Sequence, residues 1–127
     1  MQESDAEFVF SHWEFANEKN LPFVRFNIKN FPSVAVRLKE DGSLVAWEIT
    51  YFNGEMGMLH VVEKHRGRGI AKFIIYELGK KLISKGQEVF SFIVEDNEKS
   101  ISLHLKCGFS ILNSCSLIKL KGIEYVD

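Results

Sequence analysis

The 127-residue chain is poor in cysteine, in proline and in net charge, and each scarcity removes a class of protein. Cys107 and Cys115 are the only cysteines, with no Cys-x-x-Cys pair and no metal-ligand spacing. Neither a disulfide scaffold nor a metal site is expected, and the bland expectation is two reduced thiols in an intracellular protein. No apolar run approaches the roughly 20 residues that span a bilayer. The start Met1-Gln2-Glu3-Ser4-Asp5 is acidic and lacks the apolar core of a signal peptide. The expected compartment is therefore intracellular, cytoplasmic or mitochondrial, with no membrane contact. A formal net charge of -1 offers no electrostatic footprint for nucleic acid.

What is abundant is apolar and aromatic. Hydrophobic residues make up 46%, and there are eleven Phe and two Trp, enough to fill one core in a chain of single-domain length. The spacing predicts an α+β domain over residues 1–127. Ser4-Asp5-Ala6-Glu7 reads as a capping box, with Val9, Trp13 and Ala16 following at helical spacing. A second helix can start near Asn20, tolerate Pro22 in its first turn and stop by Phe31, before Pro32.

From Ser33 the period changes to two. Asp41-Gly42 and Asn53-Gly54 are hairpin turns, so three antiparallel strands are expected, the third from about Glu55 to Val62. Val45, Trp47, Ile49 and Tyr51 share one face of the middle strand, and Glu48 and Thr50 the other. Ile70, Ile74, Leu78 and Leu82 then make a helical stripe, with Gly86 as its C-terminal stop. Val89 to Val94 reads as a strand covered on both faces and parallel to its partner. A last helix is expected from about Asn97 to Cys107. Phe109–Leu112 and Ser116–Leu120 are expected to close the chain as a hairpin through Asn113-Ser114.

The chemistry concentrates where the third strand meets the long helix. Arg66-Gly67-Arg68-Gly69-Ile70-Ala71 puts glycines and cations at a helix N-terminus, where free N–H groups and the helix dipole favour an anion. Lys64, His65 and Lys72 add to the basic cluster. A P-loop would need Gly-Lys-Ser/Thr at the end of the turn, and a dinucleotide fingerprint would follow the first strand of a parallel sheet. Neither pattern is present.

Arg66-x-x-Gly69-x-Ala71 instead resembles the Gln/Arg-x-x-Gly-x-Gly/Ala turn of the GNAT superfamily. Asn97 with Leu103-His104-Leu105-Lys106-Cys107-Gly108-Phe109 is similar to the next helix of that family. Trp13-Glu14-Phe15, Asn17-Glu18, Phe31-Pro32-Ser33, Trp47-Glu48 and Gly54-Glu55-Met56-Gly57-Met58 resemble the C-terminal domain of the glycine N-acyltransferase-like family, over roughly residues 5 to 109.

The resemblance implies a three-layer GNAT fold, with a mixed, mostly antiparallel central sheet, a parallel strand pair splayed at the cofactor site, and flanking helices. It also implies acetyl-CoA or another acyl-CoA as co-substrate, held by Leu59, His60, Val61, Arg66, Gly67, Arg68, Gly69, Ile70, Ala71 and Asn97. The implied reaction transfers an acyl group to a small-molecule amine such as glycine, with Glu55 as general base and Glu48 and Glu63 as weaker candidates. A backbone N–H near His60 or Val61 would serve the oxyanion. His104 stands where many relatives have a Tyr that protonates the leaving thiolate, and an imidazole can donate too.

Alternatives remain. The acceptor could be a protein amine or a polyamine, or the chain could be a catalytically weak CoA-binding module. The resemblance places a strand ahead of Ser4, where only three residues stand, so either the domain is cut from a longer chain or the sheet lacks an edge strand. An uncovered edge at Ser33 would allow a homodimer by strand pairing. Arg25 and Arg37 are candidates for binding an acceptor carboxylate.

Overall fold

A computed structural model describes residues 1–13, 16–112, 117–120 and 123–126. Packing divides the chain into two compact units, Met1–Phe92 and Ile93–Asp127. The larger unit carries helices α1 (Ala6–Ser11), α2 (Leu21–Asn30) and α3 (Ile70–Ser84) around strands β1 (Ser33–Arg37), β2 (Leu44–Thr50) and β3 (Met56–Val61). The three strands form one antiparallel meander in the order β1-β2-β3. The smaller unit has helix α4 (Glu98–Lys106) and the antiparallel pair β4 (Leu117–Leu120) and β5 (Ile123–Val126).

Both turn signals act through their own side chains. Asp41 Oδ1 accepts from Ser43 N at 2.9 Å, and Asn53 Oδ1 from Glu55 N at 3.0 Å. The glycine after each has positive φ, 74° at Gly42 and 91° at Gly54. Helix α3 ends in a Schellman arrangement, Gly86 N donating to Ile83 O and Gln87 N to Leu82 O.

One face of β2 sends Trp47 and Ile49 against Ala6, Val9, Val24 and Ile28 of α1 and α2. The other face turns toward α3, whose Ile74, Ile75, Leu78 and Leu82 are each at most 1% exposed. Burial of each such side chain contributes about 1.5–3 kcal/mol. These layers make an α+β sandwich, and among the described residues no helix is long and apolar enough to cross a membrane.

Several expectations yield to side-chain competition. Helix α1 stops at Ser11 and does not reach Trp13 or Ala16. The Phe8 carbonyl, which the next helical turn would need, is taken by the Ser11 hydroxyl at 2.7 Å and by His12 Nδ1 at 2.9 Å. The capping box also moves upstream, since Asp5 Oδ2 receives Gln2 N at 2.8 Å.

Segment 89–94 forms no ladder strand. Met56 N donates to Phe90 O at 2.9 Å, yet the Met56 carbonyl is taken by the Ser91 hydroxyl at 2.8 Å instead of a backbone N–H. The expected parallel pairing is therefore not formed, and Phe92 and Val94 stay exposed instead of covered. Phe109–Leu112 likewise forms no strand, because β4 finds its partner in β5. Asn113, Ser114 and Cys115 lie outside the described residues.

The polar face of β2 is not solvated: Glu48 and Thr50 are each 1% exposed, and Glu48 Oε1 has no hydrogen-bond partner. Burial pushes the Glu48 carboxyl up to about 8. The folded chain therefore holds a proton that the unfolded chain releases near 4.5. Stability should fall as pH rises between these values and level off above them. Chemical denaturation of Glu48→Gln across this range should show the slope removed; an unchanged slope would place the titration elsewhere.

Candidate active site at the outer edge of β3

The register between β2 and β3 shifts between Trp47 and Ile49, with Trp47 opposite His60 but Ile49 opposite Gly57. Met58 and Leu59 thus share the single position opposite Glu48, a β-bulge. Met58 carries it with φ 56°, left-handed for a residue with a side chain. Gly57 beside it has no alternative: a Cβ there would stand 2.5 Å from the Tyr51 ring.

Beyond the bulge, hydrogen bonding alternates. Val62 N donates to Val45 O at 2.8 Å, so the His60 N–H, two residues earlier, also faces β2. The N–H groups of Leu59 and Val61 face the opposite, outer edge. Of the two oxyanion donors expected, Val61 keeps its position and His60 loses it to the ladder. Past Met56, segment 87–92 contributes no further backbone bond to this edge. The result is a row of outward-facing peptide groups that an extended ligand can pair with.

The edge leads into the arginine turn. Arg66 Nε donates to Val61 O at 2.8 Å, which fixes its guanidinium at the end of β3. Gly67 and Gly69 have φ of 80° and 76°, and Gly69 is the N-cap of α3. A glycine cap offers no side chain to the first-turn N–H groups of Ile70, Ala71 and Lys72, so these donors remain directed at the turn. Arg68 and Lys72 are exposed around it. Leu59, Val61, Arg66, Gly67, Arg68, Gly69, Ile70 and Ala71 are thus gathered along one continuous edge and turn.

The side chain of His60 turns to the α1 face, stacked on Trp47 with centroids 5.0 Å apart and planes at 25°. There it lines a cleft of about 160 Å³ with Val9, His12, Trp13, Trp47, Met58 and Leu59. Glu55 stands at the head of β3, half-buried; burial raises its carboxyl above the ordinary range, partly offset by hydrogen bonds from Phe92 N–H and Asn53. Arg25 pairs with Glu7 at 3.1 Å and Arg37 with Asp5, so both cations already have partners. Glu63 is exposed in the short 3-10 turn Glu63–His65.

In the smaller unit Asn97 caps α4, its side chain accepting from Ser100 N at 3.2 Å. His104 is 4% exposed, packs edge-on against Phe109, and donates from Nδ1 to Ser100 O at 2.7 Å. Its Nε2 is buried without a hydrogen-bond partner. Sequence reasoning missed His12 within the cleft. The available signal was His60, one strand position across from Trp47 once the bulge is counted.

The family model described as FR47-like protein matches residues 33–118. The human glycine N-acyltransferase-like protein 2 is 32% identical over 109 residues, covering 85% of this chain and 37% of its own length. The chain thus spans just over a third of the curated relatives it first matches. A Drosophila protein superposes with TM-score 0.79 at 24% identity, over 87% of this chain and 37% of that one. AAC(6')-Iy, solved in complex with the bisubstrate analog CoA-S-monomethyl-acetylneamine, superposes with TM-score 0.72 at 17% identity over 95% of each chain.

Gly57→Ala should destabilise the domain by about 1–3 kcal/mol, because the added methyl must displace the Tyr51 ring. Combining it with Tyr51→Ala should recover part of the loss. Urea denaturation of the single and double variants measures this, and additive losses would show that the two sites do not meet.

Proposed function

The chain belongs to the FR47-like family, and from that membership we propose that it is an acyl-CoA-dependent N-acyltransferase acting on a small amine. The observation that carries the reading is the outward-facing edge of β3 running into the glycine-capped, cationic start of α3. The amide-bearing arm of CoA lies along the outer edge of β3, and its pyrophosphate sits on the α3 N-terminus beside Arg66 and Arg68. The acyl group is acetyl or larger, and the acceptor is an amino acid such as glycine, as the name of the human relative suggests.

The neutral amine attacks the thioester carbonyl directly. The Val61 N–H, outside the ladder, stabilises the oxyanion. Glu55 removes the proton that the nitrogen carries after attack; its raised basicity near the bulge supports this role. The departing thiolate recovers a proton from solvent. The carbon–nitrogen bond forms as the carbon–sulfur bond breaks, giving the amide and CoA thiol.

Thiol release from acetyl-CoA and benzoyl-CoA, with a panel of amino-acid and polyamine acceptors, tests this. Glu55→Gln should lower kcat about 10²-fold or more. Arg68→Ala should raise KM for acyl-CoA while leaving kcat near wild type. Calorimetric binding of CoA without any release would identify a binding module instead, and the absence of CoA binding would overturn the reading.

A further inference from the structure

The cleft under α1 holds a proton acceptor whose tautomer the surrounding backbone fixes. The hydroxyl of Ser11 has one proton, and its shortest contact is the Phe8 carbonyl at 2.7 Å. His12 Nδ1 lies 2.9 Å from the same carbonyl. Ser11 Oγ also lies 3.1 Å from Nδ1, and with its one proton on the shorter Phe8 contact, Nδ1 meets two acceptors and carries a proton itself. The neutral ring then keeps its lone pair on Nε2. Among the described residues no hydrogen bond occupies that atom.

The ring is held by contacts on three elements. Its centroid lies 4.6 Å from Phe8 on α1, 5.5 Å from Trp47 on β2 and 5.0 Å from His60 on β3. The described titratable group facing it is His60, on which the Arg66 charge also acts. Burial, His12 and Arg66 together hold the His60 imidazole below its ordinary value, which keeps that wall neutral. His12 itself is exposed, so a proton it gains can leave to water.

The chemistry has a step that the roles above leave unfilled. An aliphatic amine arrives mostly as ammonium and must lose one proton before it can attack, besides the one lost afterwards. We propose that the acceptor docks in the cleft between α1 and β3 and that His12 Nε2 takes this first proton. The sum is acyl-S-CoA plus R–NH₃⁺ giving acyl-NH–R, CoA-SH and one proton, and His12 passes that proton to solvent. The Phe8 carbonyl orients the base from its far side, as a fixed acceptor does for other catalytic imidazoles.

This inference rests on the acyl-transfer reading, and the experiment separates the two. The kcat/KM for acceptor is measured across pH for wild type, His12→Gln and His12→Ala, with melting curves to show that each variant folds. His12→Gln should lose about 10²-fold at neutral pH. It should approach wild type in alkaline buffer, where the amine is already neutral. Added imidazole should restore His12→Ala at neutral pH. Losses that are equal at all pH values, no loss at all, or no rescue by imidazole would overturn the role of His12 alone. A wild-type protein without acceptor-dependent thiol release would overturn the acyl-transfer reading, and this inference with it.

Discussion

The structure depends on one surplus residue. Met58 and Leu59 occupy the space opposite Glu48, and every orientation downstream follows from that mismatch. Before the bulge, Met56 gives its N–H to Phe90. After it, the count shifts by one, so that Leu59 and Val61 face the same outer edge with nothing from segment 87–92 across from them. A regular strand would have continued the pairing begun at Met56. The conformation comes at the cost of a left-handed Met58, and Gly57 is the residue that lets the Tyr51 ring lie across the kink.

The bulge also explains how two chemistries share six residues of strand. Side chains on the α1 face, His60 among them, pack with Trp47 and His12. Peptide groups on the outer edge lead to Arg66 and the α3 N-terminus. The proposed donor thus lies along the backbone and the proposed acceptor among side chains, with β3 as the common wall. Arg66 joins the two, bonded to the Val61 carbonyl and close enough to act on the His60 imidazole.

Much of this was legible in the residues, for local reasons. The hairpins at Asp41-Gly42 and Asn53-Gly54 and the Gly86 stop each depend on a short turn chemistry that the sequence states directly. The arginine turn was legible because a glycine pair between a strand and a helix has few other uses. The end of α1 was not, because it depends on two side chains competing for one carbonyl, which helical periodicity does not register. Nor was the burial of Glu48, since alternation marks a polar face without saying whether a helix will cover it. The bulge was invisible for the same kind of reason. Gly57-Met58 reads as ordinary strand until the pairing of both neighbours is known.

The glycine cap of α3 has a consequence for how such a domain can change over time. Its first-turn donors are main-chain N–H groups, supplied by whatever sequence keeps the turn and the helix. Substitution of Ile70 or Ala71 leaves those donors in place. The walls of the cleft, by contrast, are made of His12, Trp13, Met58 and His60 themselves, and each exchange there alters shape and basicity. Inheritance therefore acts unevenly across β3. One side is held by backbone geometry, while the other changes one side chain at a time.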